Sequence, residues 1–292
     1  MVPPLKEKNS MRLSRPFPGM FMVLCVVLVS GHVRAEGGES GRLQSPAATA
    51  PRTTYAVVNV APHDVLNIRA RPDIASPVVG KIPPYGVDVH IREAGDQTRP
   101  LIWMPIRYRD LTGWVSSRYL ARQVGSVDEA VSARAGKIMW ALKQKDMATL
   151  SQLVHPDKGV RFSPYAYVSK EDLVFRPADM KNLMRDKTVR NWGDFDGTGQ
   201  PINLTFDAYF MRFIYDADFV RPQQVGCNIV VGRGNTINNI TAFYPNAFFI
   251  EYHFEGMDPQ QGGMDWRSLR LILEEHKGAW YLVGITHDEW TI

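Results

Sequence analysis

The chain has 292 residues and only two cysteines, and that scarcity closes several routes at once. Cys25 lies within the apolar run 21–29, and Leu24 before it is bulkier than the small residue that lipid-attachment sequences carry there. Cys227 is then the one thiol left to the folded part, so no intramolecular disulfide can staple it. Val225, Gly226, Ile229 and Val230 surround it with no adjacent base or cation. That setting suits a small buried residue and not a nucleophile. The sequence also has no Cys-x-x-Cys pair, no His-Glu-x-x-His and no Gly-x-Ser-x-Gly, and Gly232-Arg233-Gly234-Asn235 lacks the Lys-Ser/Thr of a phosphate loop. No metal, cofactor or catalytic residue is therefore assigned from motif.

A charge excess is missing as well. The formal net charge is +4, but residues 1–35 carry five basic side chains against one acidic, so the remaining chain is neutral. The basic pI belongs to that leader and leaves no footprint for a nucleic-acid partner. The apolar run 21–29 is far shorter than the ~20 residues that span a bilayer. With Lys6, Lys8, Arg12 and Arg15 ahead of it and Val33 and Ala35 after it, residues 1–35 read as an export signal cleaved near Ala35, with Met11 an alternative start. The expected mature protein is periplasmic or secreted and meets the membrane only through that segment during export. Residues 36–53, rich in Gly, Ser, Ala and Pro, read as a flexible linker.

What remains has the make-up of a folded protein, 45% apolar and 22% charged, with length enough for two domains. Residues 54–123 consist of short alternating runs broken by Gly, Pro and Asp, the pattern of a small all-β barrel. Three motifs stand in order: Leu66-Asn67-Ile68-Arg69-Ala70-Arg71-Pro72, Ser76-Pro77-Val78-Val79-Gly80-Lys81-Ile82, and Thr112-Gly113-Trp114-Val115-Ser116-Ser117-Arg118-Tyr119-Leu120. This segment resembles the bacterial SH3-type (SH3b) family of cell-envelope and exported proteins. The resemblance implies a binding module, often for peptidoglycan or a cell-wall peptide. The loop Asp96–Ile102 before Trp103 is longer and more apolar than that family's usual one. Trp103 and Tyr108, with Arg107 and Arg109, flank it and are expected to form an exposed aromatic floor for a peptide or sugar-peptide. The alternative is that the rings only close the barrel end. A papain-like peptidase, which often accompanies such barrels, would need a reactive cysteine, and Cys227 is poorly placed for it.

Residues 124–292 run helices first and then a long β region, an α+β order. Ser126 with Glu129 is expected to form a capping box for a first helix, and Asp146 to cap a second over 147–154. A third helix is expected over 177–186, an aromatic-rich one over 206–215, a short strand over 228–231, and a final hairpin of 266–274 and 279–288. The opening, Ala141-Leu142-Lys143-Gln144-Lys145-Asp146 and then Leu150, Leu153, Val154, His155 and Pro156, is similar to the start of NTF2-like domains, which implies a curved antiparallel sheet wrapped on helices. The expected fold is thus multidomain, a small SH3-like barrel at 54–123 plus an α+β (NTF2-like) domain at 124–292. Opposite net charges, +3 and −3, would favour their docking.

The sharpest chemical candidate is Glu251-Tyr252-His253-Phe254-Glu255. Spacing by two puts Glu251, His253 and Glu255 on one strand face. Arg270, His287, Asp288 and Glu289 on neighbouring strands could complete a polar pocket, or the group could be an ordinary solvent-facing surface. The ligand-binding expectation therefore rests on Trp103, Tyr108, Arg107, Glu251, His253 and Arg270. Functionally, the reading is an exported, non-catalytic binding protein with a possible envelope protein partner. The alternatives are an envelope hydrolase centred on His253 and Glu251, or a purely structural pairing with a blocked barrel groove.

Overall fold

Alternation of apolar and polar residues lays out the first half as seven strands: β1 (Thr54–Val57), β2 (Leu66–Arg69), β3 (Val78–Ile82), β4 (Val89–Ile91), β5 (Trp103–Tyr108), β6 (Leu111–Ser116) and β7 (Leu120–Val124). This is a computed structural model, and it describes residues 53–92, 102–256 and 258–291. The expected export signal, all but the last residue of the linker, and 96–101 of the long loop lie outside the described residues. Val57, Val60, Leu66, Ile68, Ile82, Val89, Ile106, Tyr108 and Val115 turn inward as the barrel's own core.

The second half follows as α1 (Glu129–Lys143), α2 (Met147–Leu153), β8 (Val160–Ser163), β9 (Val174–Phe175), α3 (Pro177–Met180), β10 (Arg190–Asp194), β11 (Pro201–Leu204), α4 (Phe206–Phe213), β12 (Gln224–Cys227), α5 (Ile240–Phe243), β13 (Phe248–Phe254), β14 (Arg267–His276) and β15 (Ala279–Glu289). Asp146 caps α2 as expected, its carboxylate accepting from the Thr149 N–H at 2.9 Å. The α1 cap is Asp128, which accepts from Ala130 at 2.7 Å, so the Ser126–Glu129 box does not form. Ser126 sits two residues too early to reach the free N–H groups of that first turn. Only 177–180 of the third helix is α-helical, followed by a 3-10 turn at Leu183–Arg185. The strand expected over 228–231 lies four residues earlier, at Gln224–Cys227, because Asn228 turns out of it at φ 54°. The last hairpin closes through a two-residue turn, Lys277 at φ 52° and Gly278 at φ 78°, the left-handed pair that matches strand twist. The loop is accordingly two residues shorter than the stretch 275–278 left between the expected strands.

The two halves are fused. β7 pairs antiparallel with β1 and parallel with β12, joining Arg122, Gln123 and Val124 to Gln224, Val225 and Gly226. One 13-stranded sheet therefore runs from β3 in the barrel through β7, β12, β13, β14 and β15 to β9. The boundary expected after residue 123 falls within β7. Ala56, Val58, Val87 and Ala121 of the barrel belong to the same apolar core as α1, α2 and α4. Across this junction the Tyr85 ring packs against Gly136 of α1, where an added Cβ would stand 2.1 Å from the ring. The attachment is mainly apolar, and the Arg109–Glu129 ion pair is exposed at both ends.

Ile250, Tyr252, Leu269, Leu271, Leu273, Leu282 and Ile285 of the central strands join that helical core, where Trp192 stacks on Tyr209 at 3.9 Å. The alternate residues Phe249 and Ile272 point the other way. They pack with Val168, Ile240 and Val283, and with Val230, Phe243 and Tyr244 of the segment 228–247. Among the described residues no helix is long and apolar enough to cross a membrane.

Candidate functional site

Two places gather polar and aromatic side chains. The first is a groove of ≈ 570 Å³ on the barrel. Its walls are the β1–β2 connection with Asn59 and Asp64, Arg69 of β2, Ile102 and Trp103 entering β5, Arg118 and Tyr119 after β6, and Trp140 from α1. Trp103, Tyr119 and Trp140 are half-buried, so each keeps a face open. Arg118 lies over the Tyr119 ring at 4.8 Å, and Arg69 donates to the Ser76 carbonyl at 2.8 Å. Stacking surfaces, two guanidinium groups and one carboxylate can hold a peptide or sugar-peptide with anionic groups.

Of the residues expected here, Trp103 lines the groove and Tyr108 does not. Five positions separate them on one strand, and an odd separation puts them on opposite faces. Tyr108 is core, 3% exposed, with a hydroxyl that finds no hydrogen-bond partner, and burial raises its phenol pKa. The floor expected from both rings is thereby corrected. Arg107 is exposed and lies outside the groove; four residues along β5 carry it about 13 Å from Trp103. Arg69 and Tyr119 were in view within the barrel motifs, but only the fold shows that they converge. Trp140, 37 positions beyond Trp103 on a helix, offered no local signal.

The second place is the sheet face opposite the helices. Register aligns Glu251 of β13 with Arg270 of β14 and Thr286 of β15, and His253 with Ser268 and Asp288. These six side chains are buried, with Glu251 and Arg270 at 0% exposure, so the solvent-facing alternative does not hold. The Glu251 carboxylate accepts from Val231 N–H (2.9 Å), Gly232 N–H (2.8 Å), Ser268 Oγ (2.5 Å) and Arg270 Nε (3.0 Å). Arg270 also donates to the Gly232 carbonyl at 2.9 Å and pairs with Asp288 Oδ2 at 2.8 Å. This network pins the loop at 231–232 to the sheet. Position 232 must be glycine for it to do so, since a Cβ there would stand 2.4 Å from Ser268 Oγ.

Burial lowers the His253 pKa and keeps the ring neutral, while it raises that of Asp288 against the opposing pull of Arg270. Ser268 Oγ lies 2.8 Å from His253 Nδ1 and gives its own proton to Glu251, so it accepts from His253. A serine nucleophile needs the opposite order, with the hydroxyl donating to the imidazole. The three side chains are thus together, but wired for structure. Glu255 is exposed and outside the network, bonded to Gln224.

The run His287-Asp288-Glu289 divides across the sheet. Asp288 joins the network. His287 faces the helical side, its Nε2 3.3 Å from Asp216, and Glu289 pairs with Arg212. Asp216, His287 and Glu289 lie close enough to share a cation, but Arg212 holds both oxygens of Glu289 and Arg267 holds Asp216 Oδ2, which leaves Asp216 Oδ1 and His287 Nε2 as the two free donors. His155, Asp157 and His276 form a similar group, and there His155 Nδ1 accepts from two backbone N–H groups at 3.2 Å. Neither set therefore presents the three or four free ligands that a zinc site gathers. Cys227 is buried, and its thiol is pushed up to about 12 by burial, which removes it as a nucleophile near neutral pH.

A family model for the bacterial SH3 domain matches residues 64–121. No curated protein matches the chain. Among solved structures, the chain is similar to one named as a calcium/calmodulin dependent protein kinase II association domain from Xanthomonas campestris (13% identity, 56% of this chain and 89% of that one, TM-score 0.26). It is also similar to a DUF4783 family protein from Bacteroides ovatus (10% identity, 53% and 94%, TM-score 0.22) and to a structure whose name carries the label NTF2 (12% identity, 55% and 99%, TM-score 0.23). These likenesses to the second half are weak.

Proposed function

We propose, from the premise that residues 64–121 match a bacterial SH3 domain, that this chain is a non-catalytic binding protein of the cell envelope. Its barrel groove holds peptidoglycan or a peptide derived from it. The observation that carries the reading is the groove itself, with open faces of Trp103, Tyr119 and Trp140 beside Arg69 and Arg118. Carboxylates of a cell-wall peptide meet the guanidinium groups, and its sugar or methyl faces lie on the rings. Export follows from the basic-then-apolar leader, and the protein works outside the cytosol.

Co-sedimentation with purified peptidoglycan tests this. Wild-type protein is expected in the pellet. Trp103→Ala and Arg118→Ala should each weaken retention about 10-fold or more, as expected for central aromatic and arginine anchors. Tyr108→Phe should leave it unchanged. No retention of wild type, or equal retention of all variants, overturns the proposal. Finding the protein in the cytosol with its first 35 residues intact would overturn the export part alone.

A further inference from the structure

Beneath the loop pinned by Glu251 lies a chamber of ≈ 400 Å³, away from the barrel groove and on the sheet face opposite the helices. Gly232, Phe249 and Asp288 are its buried members, and Asn228, Arg233 and Thr241 are exposed toward its mouth. Its volume falls in the range of small-molecule sites.

The buried charges beneath it do not balance. Arg270 is shared by two carboxylates, Glu251 and Asp288, and His253 beside them is neutral. Glu251 is fully satisfied by its four donors. Asp288 is not: its residue is 3% exposed, Oδ2 takes Arg270, and Oδ1 is buried with no hydrogen-bond partner. Buried polar atoms nearly always find partners, and a buried unpaired carboxylate oxygen is costly. The same chamber holds the converse defect. Asn238 has its Oδ1 engaged by the Ile240 N–H at 3.1 Å, which orients the amide, and its Nδ2 is buried without an acceptor. Arg233, also lining the chamber, pairs with no described residue.

An acceptor in want of a donor and a donor in want of an acceptor, with an unpaired cation at the entrance, define a ligand of two unlike ends. We propose that this chamber binds a small zwitterion, its ammonium group on Asp288 and its carboxylate on Asn238 and Arg233. Phe249 supplies the apolar contact for the atoms between. Arg270 and Glu251 hold Asp288 and the loop in place and do not touch the ligand. The site is independent of the barrel reading, since none of these residues lines that groove.

The test is an NMR titration of the full chain that follows the backbone amides of Gly232, Gly234 and Asn238. Glycine, L-lysine and 4-aminobutyrate are the zwitterionic probes. Butylamine, butyrate and glucose lack one charge or both. At least one zwitterion should give a saturable shift at these amides, with the single-charge and neutral probes at least 10-fold weaker. Asp288→Asn should weaken that zwitterion at least 10-fold, and Arg233→Ala several-fold. Arg233 is exposed and unpaired, so its variant keeps the fold and carries the test if Asp288→Asn does not. Trp103→Ala should leave the titration unchanged, which separates this site from the barrel groove. No saturable shift with any zwitterion, equal binding of the single-charge probes, or undiminished binding by Arg233→Ala would overturn the proposal.

Discussion

Glu251 shows how much one buried carboxylate can organise. It neutralises Arg270, accepts two backbone N–H groups and fixes the Ser268 hydroxyl. Glu251→Ala leaves Arg270 short of a partner and the loop unheld, and should cost about 3–5 kcal/mol in denaturant unfolding. Glu251→Gln should cost less, because its amide oxygen still accepts. His253 supplies a pH test. Its folded pKa is lowered by burial, so the unfolded chain binds the proton more readily. Stability from this residue is complete above the ordinary histidine value near 6.5 and declines as pH falls through it toward the folded pKa. His253→Gln should remove that part of the acid loss, read as a shallower fall in Tm between pH 7 and 5. The shared face of Glu251 and His253 was legible from their spacing by two. Their burial was not. What covers them is the segment 228–247, and its mix of Gly, Asn, Thr and Arg carries no periodicity to announce a lid.

Within single elements, parity decided more than residue type. On β5 both Trp103 and Tyr108 are large aromatic residues in a barrel that needs some of each inside, and composition alone assigns both to a surface as easily as to a core. Counting positions separates them, as the strand does. Tyr108→Phe removes a buried hydroxyl without a partner, and should keep or raise stability, by about 1 kcal/mol at most, in chemical denaturation. On α1, Gly136 is the element's weak point by propensity and its necessity by packing. Gly136→Ala drives a methyl into the Tyr85 ring and should destabilise by about 3 kcal/mol despite alanine's better helix propensity. Gly136→Ala with Tyr85→Ala should recover part of that loss, a coupling measurable by a double-mutant cycle. The helix itself was plain from its apolar spacing and acidic first turn. The ring that packs on it, 51 positions earlier in a turn, could be found only from the fold.

At the scale of the whole molecule, motif and fold divide the chain differently. The barrel's three sequence motifs end by residue 120, which suggests a separable module. The hydrogen bonds continue, because β7 gives one edge to β1 and the other to β12. Cutting there strips Ala56, Val58, Val87 and Ala121 of their partners and frees a strand edge. Residues 53–124 expressed alone should aggregate or fail to give dispersed NMR amides, and the full chain should unfold in one calorimetric transition. Two separate transitions would count against a shared core. This continuity sets how the molecule would grip a ligand in the proposed groove. A module on a tether swivels with whatever it catches, but here the groove's third ring, Trp140, grows from the helix that anchors the other half. Anything clasped in the groove is therefore held at one bearing to the rest of the body, and a tug on it passes straight along the spine of the sheet.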